Sequence, residues 1–79
     1  MGERFPAVTD RQVIQVLRKL GFAFYRPAKG SHEVWRRESD GRHTVIPRHA
    51  GQTLKRRTLK SILSDAGITV DEFRRLLRE

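Results

Sequence analysis

The sequence contains no cysteine, which excludes disulfides, iron–sulfur clusters and thiolate zinc sites. The fold must therefore be held together by packing alone. No apolar run is long enough to span a membrane, and the opening residues, MGERFP, contain no apolar signal core. We accordingly expect a cytoplasmic protein. A chain of 79 residues has room for one domain, which we assign to residues 1–79.

Acidic residues are scarce as well, since nine Asp and Glu stand against seventeen Lys and Arg, for a net charge of +8. The segment from residue 26 to residue 60 holds ten of the basic residues and three of the acidic ones, a net charge of +7. Clustered cations attract and hold polyanions, which favours nucleic acid as the partner. A solvated surface, or a docking site for an acidic protein, is the alternative that charge leaves open.

The first helix is predicted over Asp10–Leu20. Thr9 is a good N-cap and Gln12 completes a capping box, while Gly21 supplies a left-handed stop. Between these signals apolar residues recur at helical spacing: Val13, Val16, Leu17 and Leu20.

Two further helices are predicted near the end of the chain. The earlier one ends at Gly67 and follows the apolar stripe of Leu59, Ile62, Leu63 and Ala66. The later one begins with a second capping box, Thr69 with Glu72. Its apolar side consists of Val70, Phe73, Leu76 and Leu77.

Three strands are predicted between these helices: Phe22–Arg26, His32–Arg37 and His43–Ile46. Asp40-Gly41 marks the second hairpin turn, and Pro47 ends the third strand. Segment 48–57 is then a basic connection. The order is α-β-β-β-α-α, a two-layer α+β domain whose three-stranded antiparallel sheet carries the helices on one face. The other face is free to meet water or a ligand.

Two pairs of adjacent apolar residues make the strand faces ambiguous. Val34 precedes Trp35, and Val45 precedes Ile46, so alternation does not decide which parity faces the core. The residue pattern therefore does not determine which face of the sheet carries His32. At least one of the aromatics Trp35 and Tyr25 is expected in the core, although either type of ring can stack on a base.

The candidate site is the stretch Lys29-Gly30-Ser31-His32. A neutral imidazole can take the proton of a ribose 2′-hydroxyl, which then attacks the adjacent phosphate while cations stabilise the developing charge. Such chemistry needs no metal and no cofactor. Glycine and serine allow main-chain N–H groups to approach a phosphate closely. Cations that we expect to bind phosphate are Lys29, Arg26 and Arg48.

The other two histidines are weaker candidates. His49 follows Pro47-Arg48 at a strand exit, where it helps the leaving group or merely braces the loop. His43 is interpreted as a strand-edge residue. No two histidines have the i, i+4 spacing of a helical metal site and no cysteine is available, so we expect no metal site.

With these segments in place, the chain resembles the HicA toxins of bacterial and archaeal toxin–antitoxin systems, also called YcfA-like mRNA interferases. The resemblance runs from about Thr9 to Leu77. Each landmark is weak alone, but their order and spacing are specific: Leu20-Gly21-Phe22, Lys29-Gly30-Ser31-His32, Val45-Ile46-Pro47-Arg48-His49, Thr58-Leu59, Ser61-Ile62-Leu63 and Ala66-Gly67-Ile68.

The resemblance implies a fold similar to a double-stranded-RNA-binding domain and an endoribonuclease that cleaves mRNA. It also implies a HicB-type antitoxin as partner, and His32 as the catalytic residue. Lys29, Gly30, Ser31, Arg26, Arg48 and His49 are then the expected RNA-binding residues. The main alternative is an RNA-binding module without catalytic activity.

DNA binding through a helix-turn-helix over residues 58–77 is a third hypothesis. A recognition helix reads bases with its N-terminal residues. Here those residues are Asp71 and Glu72, whose charges oppose phosphate.

Overall fold

The structure is a computed structural model that describes residues 4–79, so residues 1–3 of the predicted domain lie outside the described residues. Its order of elements confirms the predicted α-β-β-β-α-α arrangement. The elements are α1 (Asp10–Lys19), β1 (Phe22–Pro27), β2 (His32–Arg37), β3 (His43–Pro47), α2 (Arg56–Ala66) and α3 (Val70–Arg78). No helix within residues 4–79 is long and apolar enough to cross a membrane.

Both predicted capping boxes are present. The Gln12 side chain accepts a hydrogen bond from the Thr9 amide at 2.9 Å, and the Thr9 hydroxyl accepts one from the Gln12 amide at 3.4 Å. Thr69 and Glu72 repeat the arrangement at the start of α3, at 2.8 and 3.1 Å. These local hydrogen bonds satisfy amides that a helix leaves free at its first turn.

Four predicted boundaries shift slightly. α1 ends one residue early, because Leu20 is its C-cap. β1 and β3 include Pro27 and Pro47, which is tolerated because both are edge strands of the sheet β1-β2-β3. The basic connection is shorter than predicted, because Arg56 already begins α2.

The second hairpin turns where Asp-Gly predicted it. Gly41 has a φ of 73°, in the left-handed region, and the Arg37 amide bonds the Arg42 carbonyl at 2.8 Å. The Asp40 carboxylate accepts hydrogen bonds from the Arg37 guanidinium and the Arg42 amide, which lower the pKa of Asp40 to about 2. A charged carboxylate thus clamps this turn.

Burial shows which alternate residues of each strand face the helices. Trp35 pairs with Thr44 and Glu33 pairs with Ile46, and Trp35, Thr44 and Ile46 are all buried. The other parity of the sheet lies on the side away from the helices, which we call the open face. It consists of Ala23, Tyr25, Arg26, His32, Val34, Arg36, His43, Val45 and Pro47. His32 therefore belongs to the open face.

Candidate functional site

His32 is the first residue of β2 and is exposed. It lies opposite Pro47 of β3. Its amide donates to the Lys29 carbonyl at 3.3 Å and its carbonyl accepts from the Ala28 amide at 2.9 Å. Among residues 4–79 its imidazole has no hydrogen-bond partner. The backbone is thus held by a tight turn, while the ring is accessible to a ligand.

The turn before His32 requires glycine for its backbone conformation. Gly30 has a φ of 64°, and a Cβ added there would meet nothing within 4 Å. The requirement therefore comes from φ and not from space. Lys29, Gly30 and Ser31 are all exposed beside the histidine.

A cleft of about 500 Å³ adjoins His32. Four parts of the chain form it: the start of α1, the adjoining ends of β2 and β3, the loop 48–55 and the first turns of α2. Its lining comprises Asp10, His32, Val45, Pro47, His49, Gln52, Thr53, Leu54, Lys55, Arg57, Thr58, Ser61 and Ile62. The fold therefore places two of the three histidines, His32 and His49, on one cleft. His43 is exposed on the open face but does not line it.

The cationic lining differs from the predicted set. Lys55 and Arg57 line the cleft, whereas Lys29 and Arg26 do not. Both cleft residues belong to the basic segment 26–60, so composition signalled them, but they stand more than twenty residues from His32 in the sequence. Arg26 is on the open face, where its Nη1 donates to the Pro27 carbonyl at 3.3 Å.

The N-terminus of α2 adds to the positive field of this cleft. Lys55 is its N-cap and makes no side-chain capping hydrogen bond, and no acidic residue lies in the first turn. Free amides and the positive end of the helix dipole attract anions. Together with the side chains of Lys55 and Arg57, they make this wall suited to phosphate.

Arg48, one of the residues that we expect to bind phosphate, is bonded to two carboxylates within the fold. Its Nε donates to Asp10 Oδ2 at 2.6 Å and its Nη1 donates to Glu33 Oε1 at 3.0 Å. The Glu33 oxygen also accepts from the Trp35 indole N–H at 3.0 Å. The hydrogen bond to Asp10, followed by that to Glu33, raises the pKa of Arg48. Its positive charge is therefore compensated within the fold.

Asp10 is the most buried member of this network, with its side chain 3% exposed. Burial favours the neutral acid, but hydrogen bonds from the Arg48 side chain and the Arg11 amide favour the carboxylate more strongly. The net result is a lowered pKa of Asp10. The carboxylate is charged at neutral pH and anchors Arg48 to the start of α1.

Arg48 is bonded to both sequence neighbours of His32. Its amide donates to the Ser31 carbonyl at 2.9 Å, and its guanidinium bonds Glu33. Arg48 also directly precedes His49. This residue therefore braces the backbone segments that carry the two histidines of the cleft.

Other chemistry finds less support in the described residues. Within 4–79, no group of three or more His, Cys, Asp or Glu side chains is arranged to hold a metal ion.

The start of α3 bears on the helix-turn-helix hypothesis. Asp71 and Glu72 lie in the first turn of this helix, where a recognition helix would contact DNA. The hydrogen bonds from Thr69 lower the pKa of Glu72, so this carboxylate is charged at neutral pH and opposes phosphate at the helix start.

Comparison with known protein families gives a match to the HicA toxin of bacterial toxin–antitoxin systems over residues 11–68. The matched range includes the whole sheet, all of α2 and both histidines of the cleft, and it ends before α3. A comparison with curated proteins finds no match. Since the family match covers more than half of the chain, this protein belongs to the HicA toxin family of bacterial toxin–antitoxin systems.

Proposed function

We propose that this toxin is a metal-independent endoribonuclease that cleaves mRNA in the cytoplasm, with His32 as its proton acceptor. The observation that carries the proposal is the exposed imidazole of His32 beside a cation-lined cleft in a HicA-family chain. Family membership makes this protein a toxin with an antitoxin partner. The geometry supports a specific way of acting on RNA.

The reaction needs a base, an internal nucleophile and a leaving group. The neutral imidazole of His32 takes the proton of a ribose 2′-hydroxyl, and the 2′-oxygen attacks the adjacent phosphorus. The bond from phosphorus to the 5′-oxygen breaks, which leaves a 2′,3′-cyclic phosphate on one product and a 5′-hydroxyl on the other. The nucleophile belongs to the substrate, so the protein need not supply one.

His49 is suited to the second proton transfer. It lines the same cleft as His32, and its carbonyl accepts a hydrogen bond from the Gln52 amide at 3.0 Å. In its protonated form it can donate to the departing 5′-oxygen or hold the phosphate on which charge develops. One imidazole thus accepts a proton while the other donates one.

Cations and free amides stabilise the transition-state charge. Lys55 and Arg57 face the cleft beside the N-terminus of α2. The exposed turn with Lys29, Gly30 and Ser31 offers a second group of donors next to His32. Positioned positive charge of this kind stabilises a phosphorane-like transition state without a metal ion.

A HicB-type antitoxin is the proposed inhibitor. A partner surface with acidic or apolar groups complements the cleft, whose walls combine Lys55 and Arg57 with Val45 and Ile62. Covering this cleft blocks RNA from His32.

The experiment is cleavage of single-stranded RNA by antitoxin-free protein in the presence of a chelator. We expect wild-type protein to cleave and His32→Ala to lose at least about 100-fold in rate, the usual contribution of general acid–base catalysis. His43→Ala is the comparison variant, because it removes an exposed histidine that does not line the cleft, and it is expected to cleave far faster than His32→Ala. Equal cleavage by wild type and His32→Ala refutes the role of His32. RNA retention without cleavage by any variant favours the non-catalytic binding module.

A further inference from the structure

The open face carries an exposed aromatic side chain that the cleft does not use. Tyr25 is 57% exposed. A register shift between Phe24 and Arg26 interrupts the pairing of β1 with β2 and places Arg26 opposite Val34. Such a bulge lets consecutive side chains share one face. Tyr25 and Arg26 therefore both accompany β2 residues on the open face.

Tyr25 is part of a cation–aromatic pair. The guanidinium carbon of Arg36 lies 5.4 Å from the centre of the Tyr25 ring. The pair holds the tyrosine ring on the sheet while most of the residue stays accessible. A ring oriented in this way is a platform on which a nucleobase can stack.

The side chains of Phe24 and Trp35 lie on the opposite face of the sheet, the face that packs against the helices. Trp35 is 3% exposed and belongs to the core. Phe24 makes an edge-to-face contact with Trp35, with ring centres 6.2 Å apart. Phe24 is itself 51% exposed, so the strand carries two neighbouring exposed aromatics on opposite faces.

The charge of the open face suits a polyanion. Its members include Arg26 and Arg36, and none of them is acidic. Among residues 4–79, the acidic side chain that pairs with this face is Glu38, which lies 3.2 Å from Arg36 and is itself 92% exposed. An ion pair this exposed contributes little, so a phosphate can replace it.

The open face is continuous with the cleft. His32, Val45 and Pro47 are open-face residues and also line the cleft. Arg36 lies four residues from His32 along β2, about 13 Å at 3.3 Å per residue. A few nucleotides of extended RNA can cover this distance, and Val45, which is 41% exposed, offers apolar surface between the two residues.

We propose that the open face binds single-stranded RNA next to the cleaved phosphate, and that one base stacks on Tyr25. This inference rests on the proposed function, because it identifies the substrate of the same site as unpaired RNA. A stacked base must present its flat face to the tyrosine ring. Bases inside a duplex are already stacked on their neighbours and cannot do so.

The test measures binding of a 2′-O-methyl single-stranded RNA, which has no 2′-hydroxyl to attack and stays intact. Tyr25→Ala is expected to weaken binding by about 5-fold to 150-fold, the range measured for loss of one base–aromatic stack. Tyr25→Phe keeps the ring and is expected to bind like wild type. Phe24→Ala is the matched control on the other face and is also expected to bind like wild type.

Four results overturn the inference. The first three are unchanged binding by Tyr25→Ala, equal losses for Tyr25→Ala and Phe24→Ala, and equal affinity of wild type for a duplex and a single strand. The fourth is that Tyr25→Ala loses antitoxin binding but keeps RNA binding, because this result assigns the open face to the protein partner. Circular dichroism of each variant establishes that it is folded. The outcome is separable from the proposed function, since His32-dependent cleavage can persist while every Tyr25 effect is absent.

Discussion

Replacing Arg48 by methionine tests whether the network around it holds the site together. The substitution keeps a long side chain but leaves the carboxylate of Asp10, 3% exposed, without its guanidinium partner. Glu33 loses the same partner. The Arg48 amide still donates to the Ser31 carbonyl, but the guanidinium links to Asp10 and Glu33 are lost.

The magnitude follows from the burial of the pair. A hydrogen bond to a charged group contributes about 1.5–3 kcal/mol, and removing one partner of a fully buried ion pair costs about 3–5 kcal/mol. The Arg48 side chain is 35% exposed, so the cost of breaking this ion pair is smaller than that of a fully buried one. We expect Arg48→Met to lower the free energy of unfolding by about 2 kcal/mol, which corresponds to about 8–16 °C in Tm for a domain of this size.

The assay is urea denaturation of a double-mutant cycle comprising Asp10→Asn, Arg48→Met and the double variant. We expect a coupling energy of about 1–3 kcal/mol between the two positions. Arg36→Met is the matched control, because it breaks an ion pair with the highly exposed Glu38. Its expected cost is at most about 1 kcal/mol.

The effect has a defined dependence on pH. The pKa of Asp10 is lowered in the folded protein, so its charge stabilises the fold fully above its ordinary pKa of about 3.9. This contribution is lost as pH falls through the lowered pKa of the folded state. The difference between wild type and Arg48→Met should therefore shrink as the pH falls below about 3.9. A coupling energy below about 0.5 kcal/mol at pH 7, or a cost no larger than that of Arg36→Met, refutes this reasoning.

Two further predictions concern local backbone structure. Gly30→Ala should lower the free energy of unfolding by about 1 kcal/mol or more, because φ is 64° there; Gly30→Asn should cost less, and equal thermal stability of the two variants would contradict the role of φ. Thr69→Ala should cost about 1 kcal/mol through loss of the N-cap of α3. Thr69→Ser should stay near wild type in the same denaturation experiment, and a loss equal to that of alanine would show that the hydroxyl is not what matters.

The sequence by itself determined the order and nature of the elements, because their signals are local. A capping box needs only Thr69 and Glu72, three residues apart, and a left-handed stop needs only Gly67. Hydrophobic periodicity then assigns each helix its buried side. The motif around His32 and its spacing to Pro47-Arg48-His49 was enough to indicate the HicA family, which the family comparison confirms. The concentration of positive charge indicated a polyanionic partner.

Only the tertiary structure decided how these parts meet. The face of His32 was ambiguous because Val34 and Trp35 are both apolar, and burial of Trp35 against the helices resolved it. Folding brings Arg48, a predicted phosphate ligand, to Asp10 and Glu33, partners 38 and 15 residues away in the sequence. Long-range carboxylates of this kind leave no periodic or spacing signal.

The cleft itself is a product of the same long-range packing. His32, His49 and the first turns of α2 come from three separate segments. A bulge in β1 that no residue pattern announced brings Arg26 to the open face beside Tyr25. Local chemistry along the chain thus specified which groups are available for RNA cleavage. Which of them share a surface depends on strand register and helix docking, because those interactions join residues far apart in the sequence.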